Sequence, residues 1–332
     1  MNRRGRCLAV LLAALAVAAC AAGAKAQSAA GEPEWPTRPV HLIVPFPPAS
    51  TADVLARALG QKLGVRLGQQ FVVENRVGAS GNIGAEMIAK AAPDGYTVGI
   101  VTSSTQAVAV TLSQSLPYDP IRDFTPILMI ASSPYVLVVY PGVPASSVGE
   151  LIALARRKPG ALNYGSAGPA SLAHLAAALF ATMTKTELTH VPYKSTAQSV
   201  IDMISGRLDM QFATIPPSLQ TIRAGQLRAL AVTGRKRVDA LPDVPTMEEA
   251  GVPGYDATLW FALVAPAKFP TRLAERLNHE VADTLRAADM KDLFTQQGLV
   301  EKAGPPEALT EQVRADTAKW REVISRAGIT AE

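Results

Sequence analysis

Short apolar runs alternate with amphipathic stretches along most of the chain. This alternation predicts a mainly parallel sheet with helices on both faces. Residues 40–45 read as a buried strand, and residues 52–67 carry Val54, Leu55, Ala58, Leu59 and Leu63 on one helical face. A strand over residues 71–74, a helix over 83–91 and a strand over 98–102 complete a βαβαβ pattern. The apolar stretch 127–139 is less regular, because Pro134 interrupts it. It leads to Pro141-Gly142-Val143-Pro144, where the chain is expected to leave a first lobe.

A second alternating region follows. Ser147 to Glu150 opens a helix with a capping-box pattern. Strands are expected over residues 162–166, 188–192, 210–214 and 227–233, with helices over 171–183 and 196–205. The apolar run 259–264 reads as the return crossing. Helices over 272–287, with Leu273, Leu277, Val281 and Leu285 at four-residue spacing, and over 306–326, after Gly304-Pro305, end the chain. The fold class expected is α/β, in two lobes: residues 37–137 and 258–332 form the first and 138–257 the second, with a cleft between them.

The start of the chain reads as an export signal over residues 1–26, followed by a tail over 27–36. Arg3, Arg4 and Arg6 precede an apolar run over residues 8–19, and Ala24-Lys25-Ala26 supplies a small-x-small cleavage pattern. The apolar run is shorter than the roughly 20 residues a membrane span needs. Val17-Ala18-Ala19-Cys20 also matches a lipoprotein cleavage pattern, so acylation at Cys20 is the alternative anchor. Removing this segment changes the charge. It holds four of the 32 basic residues and none of the 28 acidic ones, which leaves a formally neutral mature chain. A basic surface for nucleic acid is therefore not expected. Both cysteines, Cys7 and Cys20, go with the signal, so thiol catalysis, disulfides and thiolate metal sites are excluded from the mature protein.

Ligands of open α/β sheets bind where strand ends lead into helices. Three such junctions stand out. The first, with Phe46, Pro48, Ala49, Ser50, Thr51 and Asp53, offers hydroxyls and free helix-start N–H groups to an anion, or merely caps the helix. The second is the hydroxyl cluster Ser103, Ser104 and Thr105. The third joins Ser166, Ala167, Gly168, Ala170 and Ser171, with His174 one turn into the next helix. A hydrolase would pair His174 with Ser166 or Ser171, but no G-x-S-x-G elbow surrounds any serine. Tyr193, Lys194 and Ser195 follow a later strand, with Tyr193 as a wall and Lys194 as the nearby cation. His41, His190 and His279 lack metal-ligand spacing, so no metal and no cofactor are expected. The glycine-rich Gly78 to Gly84 matches neither phosphate-binding motif and reads as a turn into a helix.

Several of these segments are specific in combination. Trp35-Pro36-Thr37-Arg38-Pro39 with LIVPFPP, VVENRVGASGNIGAE, AAPDGYT, LPYDPIRDF, HVPYK, LRALAVT and LPDVPTMEEAG occur in order over most of the chain. This series resembles the tripartite tricarboxylate transporter receptors, also called Bug-type solute-binding proteins. The resemblance implies a type II periplasmic-binding-protein fold. It further implies capture of a small organic carboxylate in the periplasm, without catalysis, for a membrane permease; a sensor kinase is the alternative partner. By position, the implied ligand segments are residues 46–51, 103–105, 166–171 and 193–195. Three departures stand out. Ala49 and Ser50 replace the usual glycine pair, Pro169-Ala170 replaces polar residues, and Phe212-Ala213-Thr214 lacks a common aspartate. From Ala213 and its neighbour Thr214 we expect a less polar acid, aromatic or with one carboxylate, and no ammonium group.

Overall fold

The computed structural model describes residues 35–113, 115–193 and 196–330. The expected signal, the lipidation site Cys20 and most of the tail, as well as Lys194 and Ser195, lie outside the described residues. The first unit comprises β1 (Val40–Val44), α1 (Thr51–Leu67), β2 (Phe71–Asn75), α2 (Asn82–Ala89) and β3 (Thr97–Thr102). β1 pairs in parallel with both β2 and β3. Its side chains alternate between two cores: Leu42 and Val44 pack towards α1, and Ile43 packs with Ala85 and Ile88 of α2. A strand buried on both faces reads as a continuous apolar run, as VHLIV does.

β4 (Phe124–Val139) then runs for 16 residues. The second unit follows as α3 (Val148–Arg157), β5 (Asn163–Ser166), α4 (Leu172–Thr184), β6 (Thr189–Pro192), α5 (Thr196–Ile204), β7 (Met210–Thr214), α6 (Ile215–Arg223) and β8 (Arg228–Val232). The chain returns through β9 (Thr258–Pro266) and continues into α7 (Thr271–Leu285), α8 (Ala288–Gln296), β10 (Val300–Glu301) and α9 (Pro306–Ala327). The strand order is β2-β1-β3-β9-β4-β7-β5-β6, and β8 and β10 also pair with β4. Each lobe thus sets three parallel strands beside an antiparallel one, β9 in the first and β4 in the second.

Pro134 does not break β4, although the sequence suggested an interruption. Its position explains why. Phe124 to Pro134 pair with β9, whereas Tyr135 to Val139 pair with β7. The missing proline N–H falls where the strand changes neighbours, so no ladder bond is lost there. The next N–H, of Tyr135, donates to Thr233 Oγ1 at 2.8 Å.

The last helix belongs to both lobes rather than to the first alone. Leu309 and Val313 in its first turns pack with Val101 and Met129. Trp320, Val323 and Ile324 pack instead with Leu137, Phe212 and Tyr255 of the second unit. Trp320 is wholly buried, whereas Val65 on α1 is 84% exposed. Trp320→Ala is expected to lower unfolding free energy by about 3–5 kcal/mol in urea titrations, against less than about 0.5 for Val65→Ala.

Candidate functional site

Strand register decides which loops meet. Thr102, at the end of β3, lies opposite Phe261, and Thr258 at the start of β9 lies opposite Pro134. The end of β3 therefore points to the level at which β4 changes lobe, and so does the end of β1, parallel to it. In the second lobe Thr214, at the end of β7, lies opposite Tyr135. β5 runs parallel to β7 and to β6, so their ends point to the same level from the other side. The three sequence-chosen junctions, Tyr193 and Thr214 all lie at these ends.

In the first lobe the loop after β1 is held from below. Buried Asp53 accepts from the Ala49 N–H at 2.9 Å, from Arg57 Nε at 3.0 Å and from Asn75 Nδ2 at 2.9 Å. Burial opposes ionisation of Asp53, but the bonds from Arg57, Asn75 and Ala49 outweigh it and hold its pKa below the ordinary value. Asp53 is thus a fastener of the loop. Ser50 accepts from the Asp53 N–H at 3.3 Å as the cap of α1. The first amides of α1 keep no helical acceptor, as at any helix start. Pro48 and Ala49 are exposed, and Phe46, Ser50 and Thr51 are half-buried. Ala49 adopts φ 64°, the left-handed region that disfavours alanine.

The end of β3 runs into a π-type turn, Ser104–Val108. Thr105 is buried, and its Oγ1 donates to the Thr102 carbonyl at 3.1 Å while accepting from the Thr102 N–H at 3.2 Å. Its hydroxyl thus ties the turn to the end of β3. Thr102 Oγ1 and Ser103 Oγ, both buried, have no hydrogen-bond partner among the described residues. Two such buried hydroxyls at the end of β3 are costly unless something meets them.

The sequence reading missed one neighbour of this site, the glycine-rich turn before α2. Gly78, Ala79, Ser80 and Gly81 all take positive φ, at 140°, 46°, 56° and 97°. A Cβ on Gly81 would lie 2.9 Å from Thr105 Cγ2 and 3.2 Å from Phe46 Cζ, so the turn closes directly on two site segments. The signal was present as GASGN, because glycines flanking small residues suit such a run. Tyr118 was also missed; its hydroxyl donates to the Thr105 carbonyl at 2.7 Å and braces the turn.

In the second lobe Ser166 is buried, with Oγ 2.6 Å from His190 Nε2 and 3.1 Å from the Gly168 N–H that it accepts. Ser171 caps α4 by accepting from the His174 N–H at 3.3 Å and donates to the Gly168 carbonyl at 2.8 Å. His174 Nδ1 accepts from the Ala170 N–H at 3.1 Å. The pairing of His174 with Ser166 or Ser171 that a hydrolase would need is not seen: Ser166 Oγ meets His190, and Ser171 and His174 bond within their own loop. His174 stacks on His190 at 4.0 Å between centroids, and His190 stacks on Tyr164 at 5.0 Å. Burial, reinforced by His190, lowers the pKa of His174 to about 4, and burial also lowers that of His190.

The remaining residues divide. Ala167 is exposed and Gly168 half-buried, and Ala170 repeats the left-handed backbone with φ 58°. Tyr193 lies beside this loop through its N–H to the Ser166 carbonyl, but its hydroxyl is tied to Asp202 at 2.7 Å. Thr214 is half-buried at the start of α6. Ala213 is buried in the second lobe's core with Val136, Val138 and Val232.

A family model described as tripartite tricarboxylate transporter family receptor matches residues 55–329. Protein BugT of Bordetella pertussis is 35% identical over 96% of this chain and 97% of its own length. A solved structure of R. palustris Rpa4515 with adipate is 40% identical, with a TM-score of 0.75 over 90% of this chain and 99% of that one. MatC (Rpa3494) from Rhodopseudomonas palustris with bound malate is 29% identical, with a TM-score of 0.71 over 87% and 100%. The chain belongs to this receptor family, and its α/β fold in two lobes is that of the family's periplasmic binding proteins.

Two outcomes follow from the loops. The folded state binds protons at His174 and His190 more weakly than the unfolded chain does. Their stabilisation is complete above the ordinary histidine pKa near 6.5 and is lost as pH falls towards about 4. Thermal midpoints are expected to drop through this window, and less steeply in His174→Gln. Ala49→Gly is expected to raise unfolding free energy by about 1 kcal/mol in urea titrations, by relieving the left-handed alanine.

Proposed function

We propose that this member of the tripartite tricarboxylate transporter receptor family captures a small organic carboxylate between its lobes and delivers it to a membrane permease. The observation that carries the reading is the convergence of five strand ends, from both lobes, on one level of the molecule. Helix starts after β1 and β5 and the hydroxyls of Thr102 and Ser103 supply uncharged donors there. With His174 and His190 held neutral, recognition rests on hydrogen bonds and helix-end dipoles, as it does at many anion sites. Each such bond to a charged group contributes about 1.5–3 kcal/mol. Three to five of them suffice for a micromolar complex, near −8 kcal/mol. The clamp closes because only a closed form lets both lobes touch one ligand.

The adipate-bound neighbour, at 40% identity, supports an aliphatic dicarboxylate with an apolar body over the aromatic or single-carboxylate acid expected at first. Action outside the cytoplasmic membrane is in keeping with the family and with the export signal read in the sequence. Among the described residues no helix is long and apolar enough to cross a membrane.

Calorimetry with adipate and malate tests the reading. Adipate is expected to bind with micromolar or tighter affinity, and more tightly than malate. Ser103→Ala removes a hydroxyl that has no protein partner, so it should leave stability unchanged or slightly higher while weakening adipate about tenfold. Absence of heat with both acids, or full adipate affinity in Ser103→Ala, counts against it.

A further inference from the structure

Three buried polar groups without a hydrogen-bond partner among the described residues fall within five consecutive positions: Thr102 Oγ1, Ser103 Oγ and Gln106 Nε2. Each such group is unfavourable, so contacts from outside must hold this segment in its present form. The turn Ser104–Val108 shows where the hold is needed. The Ala109 N–H donates to the Ser104 carbonyl, five residues back, instead of to Thr105, four back. The Thr105 carbonyl is thereby released from its helical donor, and the Tyr118 hydroxyl takes that place at 2.7 Å.

Tyr118 is itself firmly seated. It is buried, its ring packs edge-on against Phe124 at 5.6 Å between centroids, and its oxygen also lies 2.9 Å from Asn82 Oδ1 at the start of α2. Burial raises its pKa, so the hydroxyl keeps its proton and remains a donor. The two ends of the turn are anchored in different cores. Val101 packs with Tyr118 in the first lobe, whereas Ala107 and Val108 pack with Trp320 and Tyr135. A π-type turn spans this change with one residue more than the α-helical turn it replaces. Each residue of an α-helix rotates the chain by about 100°, so rewinding would swing Ser103 away from its present direction.

We propose, on the reading that Ser103 meets the carboxylate, that Tyr118 is a positioning residue for ligand binding. By occupying the Thr105 carbonyl it keeps the turn in its π form and Ser103 Oγ free for the ligand. Without that donor the Ala109 N–H moves to the Thr105 carbonyl, the turn rewinds, and the Ser103 hydroxyl is carried off the ligand.

Tyr118→Phe tests this, because it removes one oxygen and leaves the ring in its place. Calorimetry with adipate and a ligand-free crystal structure of the variant supply the readouts. Affinity for adipate is expected to fall about tenfold in Tyr118→Phe. In the Ser103→Ala background the same change should weaken adipate less than about twofold, since the contact it positions is already gone. A merely structural role would lower affinity by the same factor in both backgrounds. In the crystal structure of the variant the Ala109 N–H is expected on the Thr105 carbonyl. An unchanged π-type turn, or equal losses with and without Ser103, overturns the proposal. So does full adipate affinity in Tyr118→Phe where Ser103→Ala weakens it, an outcome that leaves the functional reading standing. A rewound turn in a protein whose wild type binds neither adipate nor malate does the reverse: it supports the hold of Tyr118 on the turn and sinks the functional reading.

Discussion

The molecule depends on one strand that serves two lobes. β4 gives its first part to β9 and its last five residues to β7, so both lobes are aligned on a single backbone ladder. Because those pairings are antiparallel, the strand ends of each lobe are turned towards the other. The place of Pro134 keeps the ladder bonded on both sides of the change of partner, and α9 spans the same junction from outside.

The loops placed there are built with features a stability-optimised chain would avoid. Ala49 and Ala170 hold left-handed backbones, and two buried hydroxyls lack protein partners. Each is unfavourable by about 1–3 kcal/mol. The surrounding structure holds them in place: Asp53 grips the Ala49 amide, and His174 grips that of Ala170. These two anchors are alike in kind and sit on opposite lobes. In both, a side chain four residues further on, inside the helix, fixes the loop that precedes it.

The residues that fasten a loop and the residues that meet a ligand look the same in a sequence. Asp53, Thr105, Ser171 and His174 were read as contacts or as chemistry, and each makes bonds to its own turn or helix start. Short polar side chains at strand ends have this double use, since the backbone amides they satisfy lie only a few residues away. Ser103 differs because its turn offers it no partner. That property depends on a π-type turn, for which the sequence carried no mark. Ala213 lies on a face of β7 turned into the core, which its sequence neighbours did not mark.

From the chain alone came the alternation of strands and helices, the junctions between them, the neutral balance of charge beyond the expected export signal and the family likeness. All of these are local or compositional: apolar spacing follows from the period of a helix or strand, and caps act within one turn. Tertiary structure decided the continuity of β4 through Pro134, the sharing of α9 between lobes, the closing of Gly81 on Phe46 and Thr105, and the stack of His174 on His190. Each brings together residues far apart in the chain, and which of them meet is set by strand register. Register is chosen by the whole packed core at once, so no single segment contains it.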